Sequence, residues 1–154
     1  MTYLVVKWLH ILSSTLLFGT GLGSAFYLFC ASRTRDPRVI APVVRLVVIA
    51  DWAFTTPTVI LQPLTGLWMV HLAGYPLTST WLLVSIALYL LAGAAWLPVV
   101  WMQLRMRDLA RVAAQSGAPL PPEYDRLLKA WTAFGVVAFA AIVIVFWLMV
   151  TKPS

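Results

Sequence analysis

The sequence predicts an all-α fold: an integral membrane, antiparallel four-helix bundle forming one domain over residues 1–154. Three observations predict it. The chain is 62% hydrophobic and only 10% charged, where a soluble domain is nearer a quarter charged. Its apolar residues fall in four blocks, 3–31, 46–72, 81–103 and 130–150, and a bilayer core about 30 Å thick takes about 20 apolar residues per helical span. Its basic residues are one-sided. Arg33, Arg35, Arg38 and Arg45 flank the first connection, and Arg105, Arg107, Arg111, Arg126 and Lys129 flank the third. The second, Leu72 to Thr80, is uncharged.

Positive connections stay in the cytoplasm. The N-terminus, the second connection and the C-terminus are therefore expected outside it, with the chain in a bacterial cytoplasmic (inner) membrane. The net charge of +6 is then a topology signal rather than a nucleic-acid footprint. The lipid bilayer is the expected surrounding.

The first block reads as a retained helix rather than a signal peptide. Its first basic residue, Lys7, lies inside the apolar run, and the run is too long. Gly19 and Gly23 have the small-xxx-small spacing that lets membrane helices approach closely, and they offer a face for a homodimer. The first connection contains Pro37 and Pro42, neither of which suits a helix interior. The second helix contains Pro57 and Pro63, so a kink is expected, with Thr55, Thr56 and Thr58 able to satisfy freed carbonyls.

Ala73-Gly74-Tyr75-Pro76 is a tight turn. The third helix is expected to run past the membrane to Gln115, followed by a Gly/Pro linker from Ser116. Pro121-Pro122-Glu123 has the character of a helix start. Trp8, Tyr75, Trp81 and Trp147 at one boundary, and Trp52, Trp101 and Trp131 at the other, fit aromatic belts. A single cysteine, Cys30, excludes a disulfide framework and a cysteine-based zinc site.

Polar groups inside a membrane are costly and mark candidate sites. Only two histidines are present, and the predicted topology puts both in the outer leaflet. His10 lies roughly 10 Å below Tyr3, on a small, polar face with Lys7, Ser14, Leu17, Gly21 and Ser24. His71 ends the second helix, on a face with Leu64, Leu67 and Trp68. Two imidazoles on facing helices can ligate haem iron, and Lys7 could neutralise a propionate. A packed His10 and an interfacial His71 are the structural alternative. Copper is a weaker option: Met69 and His71 are soft and borderline ligands, but residues two apart on a helix diverge.

Asp51 is the one acidic residue within a span, on a stripe with Thr55, Thr58 and Gln62. An ion pair with Arg45 or Arg105 is the favoured reading, with a proton path or substrate pocket as the alternative. Ser85, Tyr89, Trp96 and Gln103 share a face of the third helix and are expected to line the bundle interior. No nucleophile-base set, paired carboxylates or phosphate loop can be assembled.

Several stretches resemble a known family. Tyr3-Leu-Val-Val-Lys7-Trp8-Leu-His10-Ile11, with Phe18-Gly19 and Phe26-Tyr27, resembles the first helix of HemJ, the four-helix membrane type of protoporphyrinogen oxidase. Thr56-Pro57 with Leu64-Thr65-Gly66-Leu67-Trp68 resembles its second helix, and Ile142-Val143-Ile144 through Lys152-Pro153 its end. A bacterial family of predicted integral membrane proteins of unknown function, related to HemJ and more distantly to CopD-like copper-resistance proteins, is the nearer likeness. The resemblance implies b-type haem at His10, with Lys7 also matching. It does not extend to the HemJ third helix: Ser85 stands where that family has an essential lysine, and no histidine follows. The expected function is haem b binding with a redox or electron-transfer role and a membrane redox partner. His10 and His71 would be axial ligands. A HemJ-like oxidase, a copper-handling protein and a cofactor-free membrane subunit remain as alternatives.

Overall fold

The computed structural model describes residues 1–153. All its regular structure is helical: α1 Thr2–Arg33, α2 Pro37–Ala73, α3 Thr80–Ser116 and α4 Pro122–Thr151. Each is long and apolar enough to cross a membrane. Large apolar side chains such as Leu4, Leu61, Leu97 and Val150 are exposed along the outer surface. Water would oppose that arrangement, but hydrocarbon does not.

The connections follow the turn chemistry of the sequence. Gly74 and Gly117 adopt left-handed backbone angles (φ 69° and 68°) at the ends of α2 and α3, a conformation that glycine alone enters without a side-chain penalty. Pro121 caps α4, with Glu123 and Asp125 in its first turn. The α3 helix ends one residue past the expected Gln115.

The first connection is shorter than expected. Only Thr34, Arg35 and Asp36 separate α1 from α2, and Pro42 lies inside α2. Pro37 takes the first helical position, where its missing N–H costs nothing, and the Asp36 side chain accepts from the Arg38 N–H at 2.9 Å. Pro42 deprives the Arg38 carbonyl of its helical donor, yet both residues are exposed at the basic end, where water can serve that carbonyl. Arg35 itself is left-handed (φ 59°) and reaches Asp125 of α4 with a bidentate pair of bonds at 2.6 and 2.7 Å.

The expected kink in α2 is a π-helical turn at Asp51–Thr55. Pro57 lacks an N–H and its ring collides with the carbonyl one turn back. One inserted residue relieves both problems, and the Thr56 N–H bonds the Asp51 carbonyl instead. Two of the three threonines act as expected: the Thr56 hydroxyl donates to the Asp51 carbonyl (3.0 Å) and Thr58 to Phe54 and Thr55 (2.7 and 2.9 Å), whereas the Thr55 hydroxyl serves no carbonyl.

The bundle is packed at both ends. At the basic end Leu28, Ile40, Val44, Met102, Met106 and Tyr124 form a buried cluster. At the other end Val70, Trp81 and Leu82 do the same against Met149. Two belt assignments do not hold. Trp131 and Trp81 are buried rather than lipid-facing, because Trp131 turns inward to bond Gln103 and Trp81 packs edge-on against Tyr75. Trp8, Trp52, Trp101 and Trp147 are exposed, as belts require.

Candidate functional site

Helix α1 packs on α2, and α3 on α4, while α1 meets α4 sparsely, with Phe18 against Phe139 and Phe146 (ring centres 4.8 and 5.4 Å apart). Between the two packed ends this leaves a cavity of about 530 Å³, with walls from all four helices. Leu17, Gly21 and Ser24 of the His10 face line it. So do Tyr89, Trp96 and Gln103 of α3, which was legible in the sequence as an interior face. Leu22, Phe26 and Val136 stand at its rim and are exposed, so the cavity opens sideways towards lipid.

Its polar end is built on Asp51. The carboxylate pairs with no arginine: Gln103 Nε2 donates to Oδ2 at 2.7 Å, and Gln103 Oε1 accepts from the Trp131 indole at 3.3 Å. The expected ion pair fails because Arg105 lies beyond Gln103 on α3 and is bonded to Glu123 (2.8 and 3.1 Å). None of the salt bridges among the described residues includes Asp51. Thr55 and Trp96 stand around the same carboxyl group. The Thr55 hydroxyl and the Trp96 indole N–H are nevertheless buried without a hydrogen-bond partner. Tyr89 donates to the Val59 carbonyl at 2.7 Å. Buried polar groups normally have partners, so two such groups beside a carboxyl that has no cation partner single this place out.

The predicted polar stripe of α2 is split. Asp51 and Thr55 line the cavity, but the π-turn changes the phase of the helix beyond them. Gln62 instead donates to the His10 carbonyl at 2.9 Å.

His10 lies between α1 and α2. Its Nδ1 is 2.7 Å from Thr65 Oγ1, which is also 2.7 Å from the Leu61 carbonyl. Both bonds are made when the ring donates from Nδ1 and the hydroxyl donates to Leu61, leaving a bare lone pair on Nε2. Gly66 makes room for the ring: a Cβ there would stand 3.3 Å from Cε1. His71 is not brought to His10. It lies nine residues from Gln62, and at about 100° per residue it projects from the opposite side of α2; it is also exposed. Lys7 is exposed as well. No group of three or more His, Cys, Asp or Glu side chains gathers as a metal site among the described residues.

Sequence reasoning missed Thr65 and Gly66 as the seat of His10, and Gln103 as the partner of Asp51. A Thr-Gly pair in an otherwise apolar stretch was the available signal for the first. The second had none, since it depends on the rotation of two helices.

Fold and cavity together define a four-helix membrane protein with a laterally open, ligand-sized chamber. The chain belongs to the DUF2269 family of predicted integral membrane proteins, whose model matches residues 4–153. No curated protein and no solved structure matches it.

Proposed function

We propose that this protein binds a lipophilic small molecule within the membrane, in the chamber floored by Asp51. The observation that carries this reading is a carboxyl group with no cation partner, at the end of an otherwise apolar cavity of about 530 Å³. A buried charge or carboxylic acid in hydrocarbon is expensive unless used or paired. Ligand cavities are mostly apolar with a few convergent polar groups. The one-sided arginines support a reading in which the Asp51 end of the bundle faces the cytoplasm of a bacterial cell.

Gly93 and Gly135 line the cavity, and a Cβ on either would meet nothing within 4 Å. Leucine at either position adds side-chain volume to the chamber wall. The test is mass spectrometry of organic extracts from protein purified in mild detergent. About one equivalent of a specific small molecule should accompany the wild type and be lost from both Gly93→Leu and Gly135→Leu. Identical extracts from all three proteins would refute the reading.

A second reading is haem b held by His10, with a role in electron transfer to a membrane partner. It rests on the unengaged Nε2 and the Thr65 bond that orients the ring, an arrangement suited to an axial ligand. His71 of the same chain is not its second ligand in this reading, because it faces away. Bound haem would supply one-electron chemistry, and the chain's own part is to fix the ring and exclude water around it. A reduced-minus-oxidised spectrum with b-type bands, lost in His10→Ala and altered in Thr65→Val, would support it. A colourless protein from haem-replete cells would end it. Ser85 donates its hydroxyl to the Trp81 carbonyl of its own helix (2.7 Å), which offers nothing to the protoporphyrinogen-oxidase alternative.

A further inference from the structure

We propose that the ligand of the Asp51 chamber is a lipid-tailed hydroquinone or phenol, bound through a ring hydroxyl. This deepens the small-molecule reading above and rests on it.

The unused hydrogen-bonding groups define the head of the ligand. Asp51 Oδ2 is taken by Gln103 at 2.7 Å, while Thr55 and Trp96 approach the carboxyl group without either closing a well-formed hydrogen bond on it. The carboxyl group therefore keeps capacity to accept a further, better-placed donor. The Trp96 indole N–H beside it is a buried donor without an acceptor. Thr55, 5% exposed, has a hydroxyl with neither. One hydroxyl group answers all three, because it donates one bond and accepts two. An ammonium head would suit the carboxylate but has no lone pair, so the Trp96 donor would stay orphaned. A phosphate or carboxylate would suit Trp96 and be repelled by Asp51. A pure hydrocarbon would leave every group unsatisfied, at a cost of about 1–3 kcal/mol each.

The walls define the body. Phe18, Phe29, Phe139 and Trp131 supply aromatic surface, and Gly21, Gly93 and Gly135 leave flat, open wall between them. This shape takes a planar ring, which aromatic neighbours bind by offset or edge contacts. The sideways mouth sets the tail: it opens to the lipid face beside Leu22 and Phe26, so an alkyl chain can leave the chamber without crossing a polar surface.

Titration calorimetry of the purified full-length protein in detergent tests this with three probes of equal chain length. These are decylhydroquinone, its dimethyl ether and decyltrimethylammonium. Decylhydroquinone should bind, and each of the other two should bind at least tenfold more weakly. Trp96→Phe keeps an aromatic ring and removes a donor that closes no well-formed hydrogen bond in the fold, so its stability should change little. Its affinity for decylhydroquinone should fall about tenfold, the loss of one hydrogen bond. Gly93→Leu and Gly135→Leu should abolish binding.

If the ether or the ammonium binds as well as the hydroquinone, or Trp96→Phe binds it undiminished, the hydroxyl assignment is overturned. The chamber reading still stands if both glycine variants block whatever binds. If neither glycine variant affects any probe, both readings fall. Failure of decylhydroquinone to bind the wild type also overturns the assignment.

Discussion

Gln103 joins two helices through both ends of one amide, so its removal should be felt more than that of any other polar side chain in the bundle. It donates to Asp51 of α2 at 2.7 Å and accepts from Trp131 of α4 at 3.3 Å, while itself 2% exposed. In Gln103→Met the volume is nearly kept and both bonds go. The bond to Trp131 is long, and its loss leaves a buried indole N–H. The bond to Asp51 is short, and its loss leaves the carboxyl without its one well-formed partner. In water-soluble proteins each orphan costs about 1–3 kcal/mol. In membranes, polar contacts average about 0.6 and reach about 1.7 kcal/mol, because the unfolded helices also find partners. The lower scale applies here, and the two losses together predict about 1–3 kcal/mol. Reversible unfolding in mixed detergent micelles measures it directly. Adding Asp51→Ala removes the carboxyl, so the double variant should lose less than the two single changes combined. A Gln103→Met protein as stable as the wild type, or strictly additive changes, would refute the cross-helix network.

Three further outcomes are expected. The Ser32 hydroxyl and Tyr124 hydroxyl are buried 2.7 Å apart between α1 and α4, so Tyr124→Phe should cost about 1 kcal/mol. The same assay should show a positive coupling with Ser32→Ala. Pro42→Ala restores a donor to the Arg38 carbonyl and removes a ring from a helix interior that normally disfavours proline by about 3 kcal/mol; it should raise the midpoint of thermal unfolding, and a fall would show that the proline bend is needed. Hydrogen bonding from Arg105 holds the Glu123 carboxyl below its ordinary value, which is about 4.3. A depressed carboxyl stabilises the fold above the unfolded value and ceases to do so as pH falls through the folded one. The stability difference between wild type and Glu123→Gln should therefore be present at pH 6, shrink below about pH 4.3, and be small throughout, since the pair is exposed.

Sequence alone determined the number of helices, the turns at Gly74 and Gly117, the start of α4 and the interior face of α3, but not the start of α2. These follow from run length, glycine and proline placement and helical periodicity, all local properties. Periodicity also placed Leu17, Gly21 and Ser24 on the side of α1 that lines the chamber. It misled in α2, where Pro42 continues a helix because its freed carbonyl is exposed, and where the π-turn breaks a stripe that regular geometry would have carried from Asp51 to Gln62. Partnerships lay beyond the sequence altogether. Asp51 meets Gln103 rather than an arginine, and His10 meets Thr65 and Gly66 rather than His71. Matching depth in the membrane says which residues share a leaflet. Which of them touch depends on the rotation of each helix about its axis, and that is decided by packing across all four.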